Sequence, residues 1–326
     1  MIITRTPYRI SFFGGGTDYE TWYSKHGGAV ISATIDKYCY ISLREMPAFL
    51  GHKYIFLYSK FEKVDRIEDI EHPGIRGCLK YFDIHLGIEA NHAGDLPARS
   101  GLGSSSAFTV GLVHALRVLR DDHFNKQQLA FDAINIEQRI LQETVGIQDQ
   151  IACTFGGLNK ISIDRRGSYN VERIKMDPRD TRTFEDHLVM VFTGIQRFAS
   201  EIAKDQVDNF DRKEKQLTRI QELVPLAYDS LQKRRFDDFG QLLNETWKLK
   251  RELSEKVSNS EIDDLYDLAI SKGAYGGKVL GAGGGGFMLF MIPPEKRENL
   301  IQAMNGLGKI CIPVRFENNG TQLILK

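Results

Sequence analysis

The stretch Pro97-Ala98-Arg99-Ser100-Gly101-Leu102-Gly103-Ser104-Ser105-Ser106-Ala107 decides how the rest of the chain is read. Before it, Ile84 to Asn91 alternates apolar and polar residues and predicts a strand. After it comes an apolar run of helix length, Ala107 to Leu119. Glycines at 101 and 103 let the backbone approach a ligand closely and adopt positive φ. A helix N-terminus adds unpaired amides and a partial positive charge. With the serine hydroxyls at 104, 105 and 106, these are the parts of a phosphate cradle. One serine suffices to cap a helix, so the triplet exceeds what capping requires.

Two further glycine-rich segments lie outward from this loop. Gly14-Gly15-Gly16 ends a strand predicted over 1–13. Thr17-Asp18-Tyr19-Glu20 then opens a short helix, with Thr17 and Glu20 at capping-box spacing. The run Gly281-Ala282-Gly283-Gly284-Gly285-Gly286 satisfies GxGxxG, but a dinucleotide fingerprint must open a helix. Here Phe287 to Ile292 reads as a buried strand stopped by Pro293-Pro294, which excludes a Rossmann site. Four consecutive glycines also exceed the needs of a hairpin turn. Close packing of backbone on a ligand or a neighbouring loop accounts for them. No GxxxxGK[ST] occurs, which excludes a P-loop. Gly103-Ser104-Ser105-Ser106-Ala107 approaches GxSxG, but a nucleophile elbow needs a strand directly before it, and Ala98 to Gly101 is a poor one.

The remaining pattern predicts strands over 29–45 and 53–59, a helix over 74–82, and a helix over 126–144 capped by Asn125. A hairpin is expected over 158–163 and 169–175, turning at Arg166-Gly167. A strand over 187–192 precedes a helical region, 198–272, with Pro225 near a break and Gly240 a weak point. Strand, glycine turn and strand follow over 273–292, then a helix and two strands over 295–326. Strands and helices mix without strict βαβ alternation, so the fold class is α+β. The length of 326 residues suits two domains, divided near Pro178 into 1–178 and 179–326.

Apolar residues make up 42%, enough for ordinary cores. Lysines plus arginines number 43 and acids number 43, so no net field draws the chain to nucleic acid or an anionic membrane. Cys39, Cys78, Cys153 and Cys311 are spread widely without CxxC, which speaks against a zinc ribbon or a thioredoxin site. The N-terminal MIITRTPYRISFF is interrupted by arginines, so a signal peptide is not expected. No transmembrane helix and a cytoplasmic location are expected.

Three carboxylates stand out. On a helix, Glu137 has Ala133, Ile134, Ile140 and Leu141 as neighbours, so it faces the core without a local cation. Its partner must come from elsewhere: an arginine from another element, or a magnesium ion. Asp149 either caps the short helix after it or orients a hydroxyl nucleophile as general base. Asp18 either serves a helix dipole or accepts hydrogen bonds from sugar hydroxyls.

Together these segments resemble the GHMP kinases. Thr6-Pro7-Tyr8-Arg9 through Gly16-Thr17-Asp18-Tyr19, Pro97 through Ala107, and Lys278-Val279-Leu280-Gly281 through Phe287 look like that family's three motifs, in order. RTPYRISFFGGGTDY, GGAVISATIDKY, SGLGSSSAFTVGL and GIQDQIACTFGGLN are similar to the branch acting on heptose 7-phosphate. The resemblance implies a two-domain fold, with a ribosomal protein S5 domain 2-like N-terminal half and a ferredoxin-like C-terminal half. It implies ATP and Mg²⁺, and phosphorylation at C1 of a sugar phosphate. Asp149 and Arg9 then match catalytic residues. Pro97, Ser100, Gly101, Leu102, Gly103, Ser104, Ser105 and Ser106 match the nucleotide loop. Ser105 and Glu137 match metal ligands, and Gly16, Thr17, Asp18, Gly283 and Gly284 match the substrate site. Galactokinases carry Glu-His before the Thr-Asp pair, where this chain has Gly15-Gly16; this disfavours galactose and suits a bulkier sugar. A substrate phosphate would need a cation, for which Arg99, Lys37 and Arg197 are candidates. No nucleic-acid or membrane partner is expected, and a homodimer is compatible with the sequence.

Overall fold

The computed structural model describes residues 1–196 and 199–326. In chain order its elements are β1 (Ile2–Phe13), α1 (Glu20–His26), β2 (Gly28–Glu45), β3 (Tyr54–Leu57), β4 (Phe61–Val64), α2 (Pro73–Tyr81), β5 (Ile88–Gly94), α3 (Ser104–Leu119), α4 (Lys126–Asn135), α5 (Gln148–Phe155), β6 (Leu158–Ile163), β7 (Tyr169–Arg173), α6 (Pro178–Asp186), β8 (Leu188–Phe192), α7 (Ala199–Asp208), α8 (Glu214–Gln232), α9 (Phe236–Arg251), α10 (Ser260–Ser271), β9 (Gly276–Val279), β10 (Phe287–Met291), α11 (Pro294–Gly306), β11 (Ile310–Pro313) and β12 (Gln322–Leu325).

The strands form two sheets. One runs β12-β1-β2-β5-β3-β4, with the β6–β7 hairpin joined to β2. The other runs β11-β8-β10-β9 and is antiparallel throughout. With helices between β8 and β9 and between β10 and β11, this second sheet has the ferredoxin-like order. No helix among the described residues is long and apolar enough to cross a membrane.

β1 positions the site. Its first residues alternate between buried and half-buried, and from Thr6 onward every residue is buried. The cause is double coverage: α3 and α5 pack on it, and so do α8 and α9 from the second half. Its pairing with β2 slips between Pro7 and Arg9 and again between Ser11 and Phe13. Such bulges bend a strand and re-aim its side chains. α3 is buried nearly all round, because it lies between the sheet and α2, α4 and α5.

Several expectations need correction. The tail does not stay with the second half: β12 pairs with β1, and Phe316 bridges to Ile35. Thr6 and Thr321 share a hydrogen bond of 2.8 Å, and His114 Nδ1 meets the same Thr321 hydroxyl at 3.0 Å. The Thr17–Glu20 capping box does not form, since α1 starts only at Glu20 and Thr17 donates instead to the carbonyls of Gly14 and Ala29. Pro225 lies inside α8 on its exposed face, where the carbonyl it leaves unpaired can turn to solvent. Gly240 does not weaken α9; a Cβ there would sit 2.5 Å from Tyr275 Cβ, so glycine lets the helix approach its neighbour. The strand expected over 84–91 lies at Ile88–Gly94, and β4 was not expected. The long helix expected to 144 ends at Asn135 and continues as one π-helical turn, Ile136–Ile140, which contains Glu137. Asn125 caps α4 as anticipated, accepting from Gln128 N at 2.9 Å.

Candidate active site

The phosphate-type loop is fastened from beneath by one residue. Arg9 N donates to Leu102 O at 3.0 Å, and Arg9 Nη1 donates to Gly101 O at 2.7 Å. The rest of the same guanidinium faces Asp149: Nε donates to Oδ1 and Nη2 to Oδ2, each at 2.6 Å. This bidentate fork fixes both groups in one plane. Arg9 is 4% exposed, whereas the Asp149 side chain keeps 22%. Asp149 is thus the member of the pair that a ligand can reach. Burial alone would depress the Arg9 guanidinium, but Asp149 outweighs it and holds it above its ordinary value.

Gly103 takes a left-handed conformation, φ 69°, and no side chain caps the start of α3. The first-turn amides therefore remain open to an anion. Ser100 and Leu102 are buried, Gly101, Gly103 and Ser104 are half-buried, and Pro97 and Ser105 are exposed.

The third glycine segment packs against this loop backbone to backbone. A Cβ on Gly101 would lie 2.4 Å from Leu280 O, and one on Gly281 would lie 2.6 Å from Gly101 Cα. Both residues also have positive φ. Phe287 N donates to Ser100 O at 3.1 Å. Gly284 N is used inside the protein, donating to Val257 O at 2.8 Å, and Gly283 packs on the same residue. The segment is a wall for the loop; its amide at 284 is not free for a substrate.

Two buried lysines, which sequence reasoning missed, fix that wall. Lys250 on α9 donates to Val279 O at 3.2 Å and also to Gly281 O. Lys278 on β9 donates to Phe12 O at 3.0 Å, tying the wall to β1. Burial, with Arg9's charge and despite Asp18, pushes Lys250 down to about 7. Lys278 is depressed further by burial, Lys250 and Arg9. A signal existed for Lys250: it follows Leu243 by seven and Trp247 by three, on the buried face of its helix.

Asp18 is 1% exposed and lies beside Asp149. Its Oδ1 accepts from Gly16 N at 3.1 Å and its Oδ2 from Gln148 N at 3.4 Å. Burial, then the charge of Asp149, raises it to about 6. Thr17 is buried and structural.

Glu137 is fully buried and has no counter-ion among the described residues. Its Oε2 accepts from Ser106 Oγ at 2.8 Å and from Gln150 Nε2, while its Oε1 has no partner. Burial, then the charge of Glu143, raises it to about 7, against the hydrogen bonds from Gln150 and Ser106. Ser105, expected as a metal ligand, is exposed one residue before Ser106, whose hydroxyl bonds Glu137. The arrangement fits a hard divalent cation: a buried oxygen without a partner, with serine hydroxyls in the same turn. No cluster of three or more His, Cys, Asp or Glu exists among the described residues to hold an ion unaided. Magnesium takes one or two protein oxygens and completes its shell with substrate phosphates and water.

Lys37 Nζ pairs with Asp36 at 2.9 Å, Arg99 is exposed at the start of the loop, and Arg197 lies outside the described residues.

Comparison with known proteins places the chain in a family. Residues 74–157 match the model of the GHMP kinases N-terminal domain, and 227–310 match the GHMP kinases C-terminal model. The chain is 33% identical over 323 residues to D-glycero-alpha-D-manno-heptose 7-phosphate kinase of Campylobacter jejuni, covering 93% of each. A crystal structure of a D-glycero-D-manno-heptose 1-phosphate kinase from Bacteroides thetaiotaomicron superposes with a TM-score of 0.83, at 22% identity, over 100% of this chain and 99% of that one. Lactococcus lactis galactokinase complexed with galactose gives 0.77 at 19% identity, over 98% and 94%. By its motifs, its two-domain fold and these matches, the chain belongs to the GHMP kinases.

Proposed function

We propose that the protein transfers the γ-phosphoryl group of ATP to the anomeric C1 hydroxyl of D-glycero-D-manno-heptose 7-phosphate, giving the 1,7-bisphosphate. One observation carries the reading: the Arg9–Asp149 fork is bonded to the phosphate loop through Gly101 O, with Asp18 beside Asp149. The 33% identity to a heptose 7-phosphate kinase supports the acceptor.

Phosphoryl transfer needs positioning and neutralisation of spread charge more than covalent help. The amides of residues 101–106 and the N-terminus of α3 hold the nucleotide phosphates. Glu137, with Ser105 or Ser106, would hold a magnesium ion, which would supply neutralisation of the phosphate charge. Each oxygen of Asp149 accepts one bond from Arg9 and keeps a lone pair for a further donor. Asp149 therefore orients the acceptor hydroxyl and takes its proton as transfer proceeds. Arg9 faces the developing charge and keeps Asp149 in plane. Asp18 accepts hydrogen bonds from the sugar. We assign the reaction to the cytoplasm, where ATP is available.

A screen with γ-labelled ATP over heptose 7-phosphate, fucose, galactose, mevalonate and phosphomevalonate tests the reading. The expected result is labelling of the heptose phosphate with the highest kcat/KM. Preferential labelling of another acceptor would replace the substrate while keeping the family.

A further inference from the structure

The phosphate loop of the first half sits in the mouth of a hairpin of the second half, where the strand ladder is spread to receive it. In an antiparallel pair, residues directly opposite exchange two backbone bonds. Leu280 N donates to Phe287 O at 2.8 Å, but Phe287 N donates elsewhere, to Ser100 O at 3.1 Å. The loop thus takes half of the last rung. Both arms of the mouth touch it. A Cβ on Gly281 would lie 2.6 Å from Gly101 Cα, and one on Gly286 would lie 2.4 Å from Ser100 O.

The two arms are held differently. Behind the β10 arm, Gly286 O accepts from both Thr193 N and Thr193 Oγ1 at 2.9 Å, and Gly286 N donates to Ile195 O at 2.7 Å. The β9 arm has no strand behind it, since β9 is the last of its sheet. Because Leu280 bonds toward β10, the carbonyl of Val279 points off the open edge. Lys250, in the last turn of α9, takes the place of the missing strand. Its ammonium donates to Val279 O at 3.2 Å and also to Gly281 O. These two carbonyls flank Leu280, whose own carbonyl faces Gly101. One residue beyond, Ala282 O accepts from Gln206 Nε2 at 2.6 Å, which ties the turn but not the arm. Lys250 is 7% exposed and has no carboxylate partner among the described residues. A buried ammonium is costly, and here it is kept where it satisfies the arm's outward carbonyls.

We propose that Lys250 is a positioning residue for phosphoryl transfer. By holding the β9 arm it sets the width of the mouth. That width places Gly101 O against the Arg9 guanidinium, and so the nucleotide phosphates against the Arg9–Asp149 fork. Lys250 acts through Gly281 and Gly101, without touching a substrate. Its signature is therefore a loss in kcat with nucleotide binding retained, because a misplacement of about 1 Å can cost roughly 10²-fold in rate.

The proposal rests on the kinase reading, and its test separates the two. Lys250→Met removes both bonds and keeps the apolar stem. Thr193→Val is the control on the other arm, where the bond from Thr193 N remains. Kinetics are measured on the full chain with Mg·ATP and heptose 7-phosphate, at a temperature where denaturation curves show every variant folded. In Lys250→Met, kcat should fall roughly 10²-fold, against about threefold or less in Thr193→Val. ATP affinity by isothermal titration should stay within about fivefold of wild type in both. With no acceptor present, hydrogen exchange at the Phe287 amide, read by NMR, should quicken roughly tenfold or more in Lys250→Met and within about threefold in Thr193→Val. Lys250→Gln guards against a failure to fold: it keeps N–H donors on a shorter stem, and its losses should fall between those of wild type and Lys250→Met. A kcat in Lys250→Met or Lys250→Gln equal to wild type, or equal losses on the two arms, overturns the positioning role and leaves the kinase standing. Absence of wild-type turnover with heptose 7-phosphate overturns the acceptor instead. The exchange arm then decides alone, and an unchanged Phe287 amide in Lys250→Met overturns the positioning role.

Discussion

The seam between the phosphate loop and the third glycine segment contrasts with the pocket behind it. The seam is built of backbone: Gly101 against Leu280 and Gly281, and Ser100 O bonded to Phe287 N. It has no room for a side chain, and two buried cations, Arg9 and Lys250, bond its carbonyls at Gly101 and Gly281. The pocket is built of charge: Arg9 from β1, Asp18 from the turn after it, Glu137 from the π-helical turn and Asp149 from α5. Within it, Asp149 has a counter-ion and Glu137 has none among the described residues. The difference teaches that one region fixes shape, while the other stores unsatisfied polarity for its ligands.

Asp149→Asn should break the pocket while sparing the seam. Turnover should fall about 10³-fold or more, in the range expected for loss of a general base. ATP affinity, read by isothermal titration, should change little. Near-normal turnover would remove Asp149 from the chemistry.

Gly281→Ala should break the seam while leaving every pocket charge in place. A methyl there meets Gly101 backbone at 2.6 Å from a positive-φ position, so stability should drop by about 2–4 kcal/mol and ATP affinity should fall with it. Gly308→Ala sharpens the comparison. Its φ of 71° is similar, but nothing lies within 4 Å, so the loss should be about 1 kcal/mol. Equal losses in chemical denaturation would mean that the close approach is unimportant.

Glu137→Gln should separate the two carboxylates. Turnover should fall about 10²-fold at limiting magnesium and recover in part as magnesium is raised. Without nucleotide or metal, the same variant should be more stable than wild type at pH 8, by on the order of 2 kcal/mol, since a buried unpaired charge is gone. The folded-state value near 7 lies above the ordinary 4.5, so the folded form retains a proton that the unfolded chain has lost. This contribution to wild-type stability is full below about pH 4.5 and declines as pH rises through about 7. Denaturation midpoints across pH 4–8 read the decline, and a parallel slope in the variant would contradict it.

The smallest expected effect concerns Asp18. Its folded-state value of about 6 also lies above the ordinary carboxylate value, so its stabilising share is lost as pH rises from about 4 through 6. Acceptor KM should move the other way, improving severalfold across the same window as Asp18 becomes an anion able to accept from hydroxyls. An acceptor KM that stays flat between pH 5 and 7 would remove Asp18 from substrate binding.

What could be read in the sequence follows the same division. The glycine seam was visible, because runs of glycine have few physical explanations and both runs required close backbone approach. Glu137 was read as buried without a local cation, which the structure bears out, although the helix carrying it was drawn too long. The π-helical turn leaves no periodic signal. That Ser106 would bond Glu137 was not legible, since which hydroxyl turns inward depends on where α3 begins. Lys278 and Gln150 were not legible, because their partners, Phe12 O and Glu137, meet them only through tertiary packing. The return of β12 to β1 was equally hidden, as a four-residue strand carries no mark of its partner.

The most direct test is the product itself. Purified protein with ATP, Mg²⁺ and D-glycero-D-manno-heptose 7-phosphate is followed by phosphorus NMR. The account predicts a second phosphate ester on the sugar, coupled to the anomeric proton, formed by wild type and absent with Asp149→Asn. A new phosphate at another carbon, or ADP formation with the heptose phosphate unchanged, would contradict it.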